Sequence, residues 1–181
     1  MKITREKFIS NVLKGIFRKN DIILDLGAGY CKVAQQLADD YKINITCLDI
    51  DDYNKTDLKL ILYDGKKIPF KDNHFNKTIL IFVLHHSQDP EKLLNEAKRV
   101  TKENIIILED SYSNFFEYIF TIIADFFINI KHINIFHAEH HYSDKKWKEL
   151  FKKLNLNIQK DVSFKRQNFP IGKHILYILK K

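Results

Sequence analysis

Cysteine is scarce in this sequence: the 181 residues contain only Cys31 and Cys47. The two cysteines lack the paired spacing of a thiolate metal site, and they are too few for a disulfide framework. We therefore expect no metal centre and a reducing, cytoplasmic environment.

Long apolar runs are also missing. The most apolar stretch, residues 118–130, contains Asp125 and is shorter than the roughly 20 apolar residues that a helix needs to cross a bilayer. The first 17 residues carry charges throughout and have no uninterrupted apolar core, so they do not resemble a signal peptide. We expect neither a transmembrane segment nor a secretory leader.

The charge balance is positive, with 30 Lys and Arg against 23 Asp and Glu. An excess of basic residues can indicate an anionic partner such as nucleic acid or an acidic membrane. Here the lysines are spread along the chain, often beside Asn and Ile, and do not form one patch. The charge therefore does not favour a nucleic-acid partner.

Strand-length apolar runs alternate with amphipathic helical patterns along the chain. The predicted strands are 22–26, 43–48, 58–63, 76–84, 104–108, 156–164 and 174–179. Helical patterns occupy 8–17 and 32–40, and two more begin after the capping residues Asp89 and Ser143. Turn-forming residues between the last two strands predict an antiparallel hairpin. The alternation predicts an α/β protein with a doubly wound, mostly parallel sheet of seven strands, an antiparallel C-terminal hairpin strand and helices on both faces.

The first predicted strand runs into a glycine turn, in the order Asp25-Leu26-Gly27-Ala28-Gly29. Glycine permits a close ligand approach, and the helix that follows supplies free N–H groups. Such a turn also occurs without any ligand. The second predicted strand, however, ends at Asp49, where nucleotide-binding folds place a carboxylate for ribose hydroxyls. Lys32 stands where dinucleotide-binding proteins have a third glycine, which disfavours NAD.

Four motifs in this order resemble the class I S-adenosylmethionine-dependent methyltransferases, particularly the small-molecule methyltransferase-like group. They are the glycine-turn motif 24–29, the acidic strand end at Asp49, the acidic run 63–70 that leads to Pro-Phe, and the strand and Asp-Pro helix of 75–100. The resemblance covers about residues 22–110. It implies a Rossmann-like fold and S-adenosylmethionine as the cofactor.

The sequence departs from the family's pattern in two places. Cys31 replaces the third small residue of the glycine turn, which alters how closely the methionine end of the cofactor can sit. Residues 101–104 replace the usual Pro-Gly-Gly before the fifth strand, and we expect them to shorten a surface turn. Neither departure removes the predicted cofactor site.

The resemblance implies roles at the methionine end of the cofactor. Gly27 and Gly29 would face the methionine portion through their backbone, and Asp25 would orient the turn or meet the amino group through water. Phe82 and Val83 would end the fourth strand beside the methyl sulfonium. Each of these residues would also fit a purely structural role in a turn or in the core.

It also implies roles at the nucleoside end. Asp49 would accept hydrogen bonds from the ribose hydroxyls, and Ile50 would pack against the adenine. Asp64, helped by the Gly65 amide, would bind the adenine amino group. Ala28, between the two glycines, completes the predicted cofactor site.

Two adjacent histidines are the candidate catalytic residues. His85 and His86 lie at the carboxyl end of the fourth predicted strand, where open α/β sheets bind ligands. An imidazole titrates near neutrality, so either histidine could serve as a general base for the methyl acceptor. The alternative is that one caps the loop and the other packs.

An aromatic segment at 112–136 follows the fifth strand, where the family inserts elements that cover the substrate. Within one domain, 1–181, we regard 111–142 as a candidate covering insertion over an apolar or aromatic acceptor. Aromatic residues at such spacing also form ordinary core. The histidines and acidic residues of this region match no known metal-site spacing.

The nature of the acceptor follows mainly from what is missing. The sequence lacks the Asn-Pro-Pro-Tyr type of run that resembles methylation of nucleic-acid bases, which favours a small-molecule or lipid-like acceptor. A non-catalytic S-adenosylmethionine-binding subunit is the alternative in a different class. An RNA or protein methyltransferase is less favoured.

Overall fold

The computed structural model describes residues 3–112, 116–119, 123, 140–165 and 173–181. Its strands are β1 (Ile22–Leu26), β2 (Asn44–Asp49), β3 (Leu60–Leu62), β4 (Phe75–Ile81), β5 (Thr101–Ser111), β6 (Asn157–Lys165) and β7 (Lys173–Lys180). Its helices include α1 (Arg5–Val12), α2 (Lys32–Tyr41), α3 (Pro90–Val100) and α4 (Asp144–Lys153), and a 3₁₀ turn spans Leu84–His86.

The seven strands form one sheet in the order β3-β2-β1-β4-β5-β7-β6. The pairs from β3 to β5 are parallel, whereas β7 runs antiparallel to both β5 and β6. This confirms the predicted doubly wound sheet with an antiparallel C-terminal hairpin strand. The strand order reverses between β1 and β4, and the carboxyl ends of these strands are where such sheets bind ligands.

Helices cover both faces of the sheet, as predicted. Neighbouring residues of β1 point to opposite faces: Leu24 joins a core cluster with Trp147 of α4, and Ile23 joins another with Ile9 of α1. Because both faces are covered, the strands can be almost continuously apolar. None of the helices among the described residues is long and apolar enough to cross a membrane.

The predicted helix caps are present. The Asp89 side chain accepts a hydrogen bond from the Lys92 amide at 3.0 Å at the start of α3, and Pro90 occupies the first turn. Ser143 caps α4 by accepting from the Lys146 amide at 3.4 Å. Each cap satisfies an amide that the helix itself leaves unbonded.

The end of β4 differs from the prediction. The fourth strand stops at Ile81 and does not continue to residue 84. Phe82 has a φ of +59° in the left-handed region, and the 3₁₀ turn begins two residues later. The chain turns here because the Phe82 amide bonds to the Leu108 carbonyl at 2.8 Å while the next two amides bond to a buried side chain of β5.

The start of β5 also differs. Residues 101–104, predicted to form a short surface turn, are the first residues of a strand that follows α3 directly. Thr101 is fully buried, and its hydroxyl donates to the Ala97 carbonyl at 2.6 Å. This hydrogen bond satisfies both the buried Thr101 hydroxyl and the Ala97 carbonyl, and β5 begins directly after α3 without a loop.

Part of the chain lies outside the described residues. This applies to most of the predicted covering insertion, namely 113–115, 120–122 and 124–139, and to 166–172, where a hairpin turn was predicted. The choice between a cover and a core role for 112–136 therefore stays a prediction.

Candidate functional site

The glycine turn lies between β1 and α2 against the neighbouring strands. The Gly27 and Ala28 amides both donate to the Leu48 carbonyl, at 2.8 and 3.2 Å. A Cβ on Gly27 would lie 2.6 Å from both γ-methyl groups of Val83, so the turn and the end of β4 are packed too closely for any side chain there. A Cβ on Gly29 would have no neighbour within 4 Å. The turn is thus tight at its first glycine and open at its second.

Asp49 holds this turn in place. One carboxylate oxygen accepts the Gly29 amide at 2.7 Å, and the other accepts the Ile50 amide at 2.7 Å. Burial raises the pKa of Asp49, although these backbone hydrogen bonds oppose the rise. The carboxylate that sequence analysis assigned to the ribose therefore lies directly beside the open part of the glycine turn.

Asp25 lies beneath the turn and is only 2% exposed. Burial raises its pKa to about 7, and the nearby charge of Asp49 contributes to the rise. Near neutral pH this carboxyl group is therefore partly protonated. Its protonation state therefore affects the charge directly beneath the glycine turn.

The raised pKa predicts an unusual pH dependence of stability. Because the folded state binds the Asp25 proton more tightly than the unfolded chain, this stabilisation is present at acidic pH and is lost as pH rises through about 7. Urea unfolding measures the free energy of unfolding at each pH. Between about pH 4.5 and pH 8, this free energy should fall by roughly 3 kcal/mol more in wild type than in Asp25→Asn.

Asp64→Asn is a suitable control for that measurement. Backbone hydrogen bonds hold the pKa of Asp64 below its usual range, so removing this carboxylate does not alter the slope between the two pH values. If the free energy of unfolding changed with pH by the same amount in wild type and in Asp25→Asn, the role assigned to Asp25 would be contradicted.

Ile50 and Gly65 form an open shelf next to Asp49. Ile50 is 58% exposed, and a Cβ on Gly65 would lie 3.3 Å from its side chain. Asp64 is exposed beside them, and one of its oxygens accepts the amides two and three residues later, at 2.9 and 3.2 Å. The Tyr63 amide donates to the Asp49 carbonyl at 3.1 Å. The structure therefore brings the three residues predicted for the adenine next to the residue predicted for the ribose.

Two charged residues of α3, not singled out from the sequence, anchor the loop after this shelf. Arg99 donates to the carbonyls of Ile68 and Phe70, at 2.8 and 2.7 Å. Glu96 accepts the Ile68 amide at 2.8 Å and pairs with the same guanidinium at 2.8 Å. Glu96 and Arg99 are three residues apart on the helix, a spacing typical of an exposed ion pair, so sequence alone did not reveal this role.

Phe82 and Val83 lie on opposite sides of the sheet. Val83 packs against Gly27 and belongs to the cluster formed with α3 and α4. The Phe82 ring belongs to the other cluster, between the Arg5 guanidinium at 5.1 Å and the His174 ring at 4.9 Å. Of the two, Val83 is the residue in contact with the glycine turn.

Glu109, near the end of β5, is the residue that sequence analysis missed. Its carboxylate is fully buried. One oxygen accepts the Val83 and Leu84 amides at 2.9 and 2.7 Å, and the other lies 2.6 Å from Nδ1 of His85. The available signal was a carboxylate directly after the apolar run 105–108, at the ligand-binding edge of the sheet.

His86 lies beside His85 but in a different environment. The two ring centroids are 4.0 Å apart, and the His141 ring lies 5.3 Å from that of His85. Burial lowers the pKa of His86 to about 3, and the neighbouring His85 and His141 add to the lowering. His86 is therefore neutral at physiological pH. The structure brings both candidate histidines to the end of β4. Of these two, His85 is the one whose ring lies against a carboxylate among the described residues.

Cys31, the departure in the glycine turn, points away from the open site. It adopts a left-handed conformation with φ of +58° and is fully buried with Cys47 and Ala34. Burial raises the pKa of both thiols, which makes them poor nucleophiles. The cysteine therefore fills the interface between helix and sheet.

The arrangement fits S-adenosylmethionine. A Cβ on Gly29 would occupy open space next to the Asp49 carboxylate, and the exposed Ile50 side chain offers an apolar surface on the far side. An open glycine turn at a helix start, a carboxylate and an apolar shelf match the amino acid, ribose and adenine parts of such a molecule.

Several known proteins with similar sequence or fold are methyltransferases. Residues 24–108 match a family model described as a methyltransferase domain. The demethylmenaquinone methyltransferase of Paenarthrobacter aurescens is 31% identical over 98 residues, which are 50% of this chain and 39% of that protein. The chain spans about two fifths of the length of the curated relatives that it matches.

Solved structures show the same fold over almost the whole chain. A putative methyltransferase from Bacillus halodurans has a TM-score of 0.73 at 14% identity and covers 98% of each chain. A SAM-dependent methyltransferase from Aquifex aeolicus has a TM-score of 0.67 at 18% identity, covering 94% of this chain and 87% of that one.

Proposed function

We propose that this chain is a class I S-adenosylmethionine-dependent methyltransferase that transfers a methyl group to a small-molecule or lipid-like nucleophile. The match of residues 24–108 to a methyltransferase domain and the fold shared with a SAM-dependent methyltransferase support the proposal. When bound, S-adenosylmethionine supplies an electrophilic methyl group on a sulfonium. The observation that carries the proposal is the open space at Gly29 beside the Asp49 carboxylate. Here a cofactor can lie against the glycine turn and donate hydrogen bonds to the carboxylate without any rearrangement of the turn.

In this proposal, different residues around the turn bind different parts of the cofactor. Gly27, Ala28 and Gly29 bind the methionine portion, with Asp25 tuning the charge beneath it. The Asp49 oxygens already accept backbone amides and retain further lone pairs for the ribose hydroxyls, since a carboxylate has about four acceptor positions.

The remaining predicted residues contact the adenine and the methyl side of the cofactor. Ile50 packs against the adenine, and Asp64 with the Gly65 amide recognises its amino group. Val83 reaches the methyl side through its contact with the turn, whereas the Phe82 ring lies farther towards α1.

The acceptor side is at the ends of β4 and β5. His85 and Glu109 lie here, and the rings of His86 and His141 lie against that of His85. Aromatic rings beside a histidine suit an acceptor that is partly apolar and carries one ionisable group. The similarity to demethylmenaquinone methyltransferases supports a small-molecule acceptor over a nucleic acid. We place the activity in the cytoplasm, where the two free, buried cysteines stay reduced.

Calorimetry and thermal unfolding test the cofactor assignment. S-adenosylmethionine and S-adenosylhomocysteine should each bind and raise the unfolding temperature, because ligands of the native state stabilise it. NAD, the matched control, should do neither. A rise with NAD and none with S-adenosylmethionine would overturn the proposal.

Methyl transfer is tested with isotope-labelled S-adenosylmethionine. Reduced demethylmenaquinone and fractions of a metabolite extract serve as acceptors, and labelled product should form with a small molecule. Binding of S-adenosylmethionine without transfer to any of these acceptors would support the non-catalytic alternative instead.

A further inference from the structure

We infer that Asp25 couples cofactor binding to the release of a proton: its buried carboxyl group ionises when the cationic methionine end of S-adenosylmethionine binds at the glycine turn. The inference rests on the proposed function and adds a proton-linked step to the same site. As a consequence, the site binds the cofactor more tightly as the pH rises towards neutrality.

Asp25 lies in the middle of the sheet, near the end of β1. Its neighbours in the strand register are Cys47 of β2 and Ile79 of β4. Because side chains alternate along a strand, Asp25 shares a face of the sheet with Ile23, which packs in the cluster formed with α1. Only 2% of Asp25 is exposed, so the protein encloses this carboxyl group almost completely.

The Asp25 carboxyl group has neither a hydrogen-bond donor nor a cation as a partner among the described residues. Its titratable neighbours there are the Asp49 carboxylate and the thiols of Cys31 and Cys47. The strand β4 and the helix α1 contribute apolar side chains to the same face of the sheet. A buried carboxylate without a partner is costly, so burial raises the pKa of Asp25 to about 7, and the charge of Asp49 adds to the rise.

Asp49 differs from Asp25 in its partners. The Gly29 and Ile50 amides donate to its two carboxylate oxygens, each at 2.7 Å. These hydrogen bonds favour the ionised form of Asp49 and oppose the effect of burial on its pKa. Of the two neighbouring carboxyl groups, Asp49 is therefore the one that ionises first, and Asp25 keeps its proton to higher pH.

S-adenosylmethionine carries the positive charge that the surroundings of Asp25 lack. Its methionine portion has an ammonium group and a sulfonium, and in the proposed binding mode this portion lies at the glycine turn, above Asp25. Opposite charges attract over several ångströms in a buried site, so the effect does not require direct contact. Asp25 therefore ionises when the cofactor binds, and its proton passes to the solvent.

The direction of the pH dependence follows from this exchange. Below about pH 7 the ligand-free protein holds the Asp25 proton, which must leave on binding, so acid weakens binding. The Kd for S-adenosylmethionine should rise roughly 4- to 15-fold between about pH 7 and pH 5.5. Above pH 7, Asp25 is already mostly ionised and adds no further dependence.

Calorimetry in two buffers of different ionisation enthalpy counts the protons released on binding. At about pH 6, wild type should release roughly 0.4 to 0.9 proton for each S-adenosylmethionine bound. The α-amino group of the cofactor does not add to this count, because a pKa of about 8 keeps it protonated at this pH. His86, with a pKa of about 3, stays neutral and does not add to it either.

Asp25→Asn is the test variant, since an amide has the shape of the protonated carboxyl group and cannot ionise. It should release no proton, and its Kd should be the same at about pH 5.5 and pH 7. Asp52→Asn is the matched control, because Asp52 is exposed and accepts only the local Asn54 amide, at 3.0 Å, among the described contacts. This control should release the same fraction of a proton as wild type.

Binding of S-adenosylmethionine by wild type without proton release would overturn the inference and leave the proposed function intact. Release that persists in Asp25→Asn would also overturn it, because the proton would then come from another group such as Asp49. Urea unfolding shows whether the variant is folded, and Asp25→Ser, with a smaller neutral side chain, replaces it if it is not. Absence of S-adenosylmethionine binding by wild type at every pH would overturn the proposed function itself.

Discussion

Gly27→Ala should lower the free energy of unfolding by about 2–5 kcal/mol and abolish binding of S-adenosylmethionine. The residue has a φ of +77°, which costs a non-glycine residue about 1–2 kcal/mol. The added Cβ would also lie 2.6 Å from both γ-methyl groups of Val83, and overpacking of this kind costs about 1–3 kcal/mol. Urea unfolding and calorimetry measure the two effects.

Gly29→Ala is the matched control in the same turn. Its φ of +51° adds the same backbone cost of about 1–2 kcal/mol, but a Cβ there meets nothing within 4 Å. The free energy of unfolding should therefore fall less than in Gly27→Ala, while cofactor affinity falls because the methyl group enters the open space. Combining Gly27→Ala with Val83→Ala should recover part of the lost stability. Equal stability of the two single variants would contradict the packing argument.

Asp49→Ala should weaken S-adenosylmethionine binding about 10²- to 10⁴-fold. The variant loses the acceptor of the Gly29 and Ile50 amides, which lie at 2.7 Å, and the acceptor proposed for the ribose. Two charge-assisted hydrogen bonds at about 1.5–3 kcal/mol each account for this range. Titration calorimetry measures the affinity, and thermal unfolding shows that the variant remains folded.

Asp52→Ala is the control for charge alone. Asp52 is exposed three residues later and accepts only the local Asn54 amide at 3.0 Å among the described contacts. Its removal should leave the affinity within about twofold, because exposed charges at this range are screened. If Asp49→Ala binds as tightly as wild type, Asp49 does not hold the ribose.

Elements set by local signals were predictable. The helix start at Asp89 needs only a side chain that reaches an amide three residues away, and the glycine turn needs only the residues between β1 and α2. The motifs of residues 22–110 predicted the family and the cofactor, and the family match over 24–108 confirms this resemblance. These features depend on residues close together in the chain.

The end of β4 was not predictable from its own residues. Residues 79–84 are continuously apolar, so periodicity alone extends the strand to Leu84. The register of β4 with β5 pairs Ile81 with Leu108, and the next residues then meet the Leu108 carbonyl and the Glu109 carboxylate. Hydrogen bonds to these groups, which lie more than 20 residues away in the sequence, end the strand and change the direction of the chain.

The sequence by itself determined the fold class, the glycine turn and the acidic end of β2, because periodicity, capping and turn chemistry act over a few residues. Only the tertiary structure decided that Glu109 pairs with His85, that Val83 and not Phe82 contacts Gly27, and that Cys31 points into the core. Those outcomes depend on strand register and on which face of the sheet each side chain occupies. Both are set when distant segments pack together, and no local pattern records them.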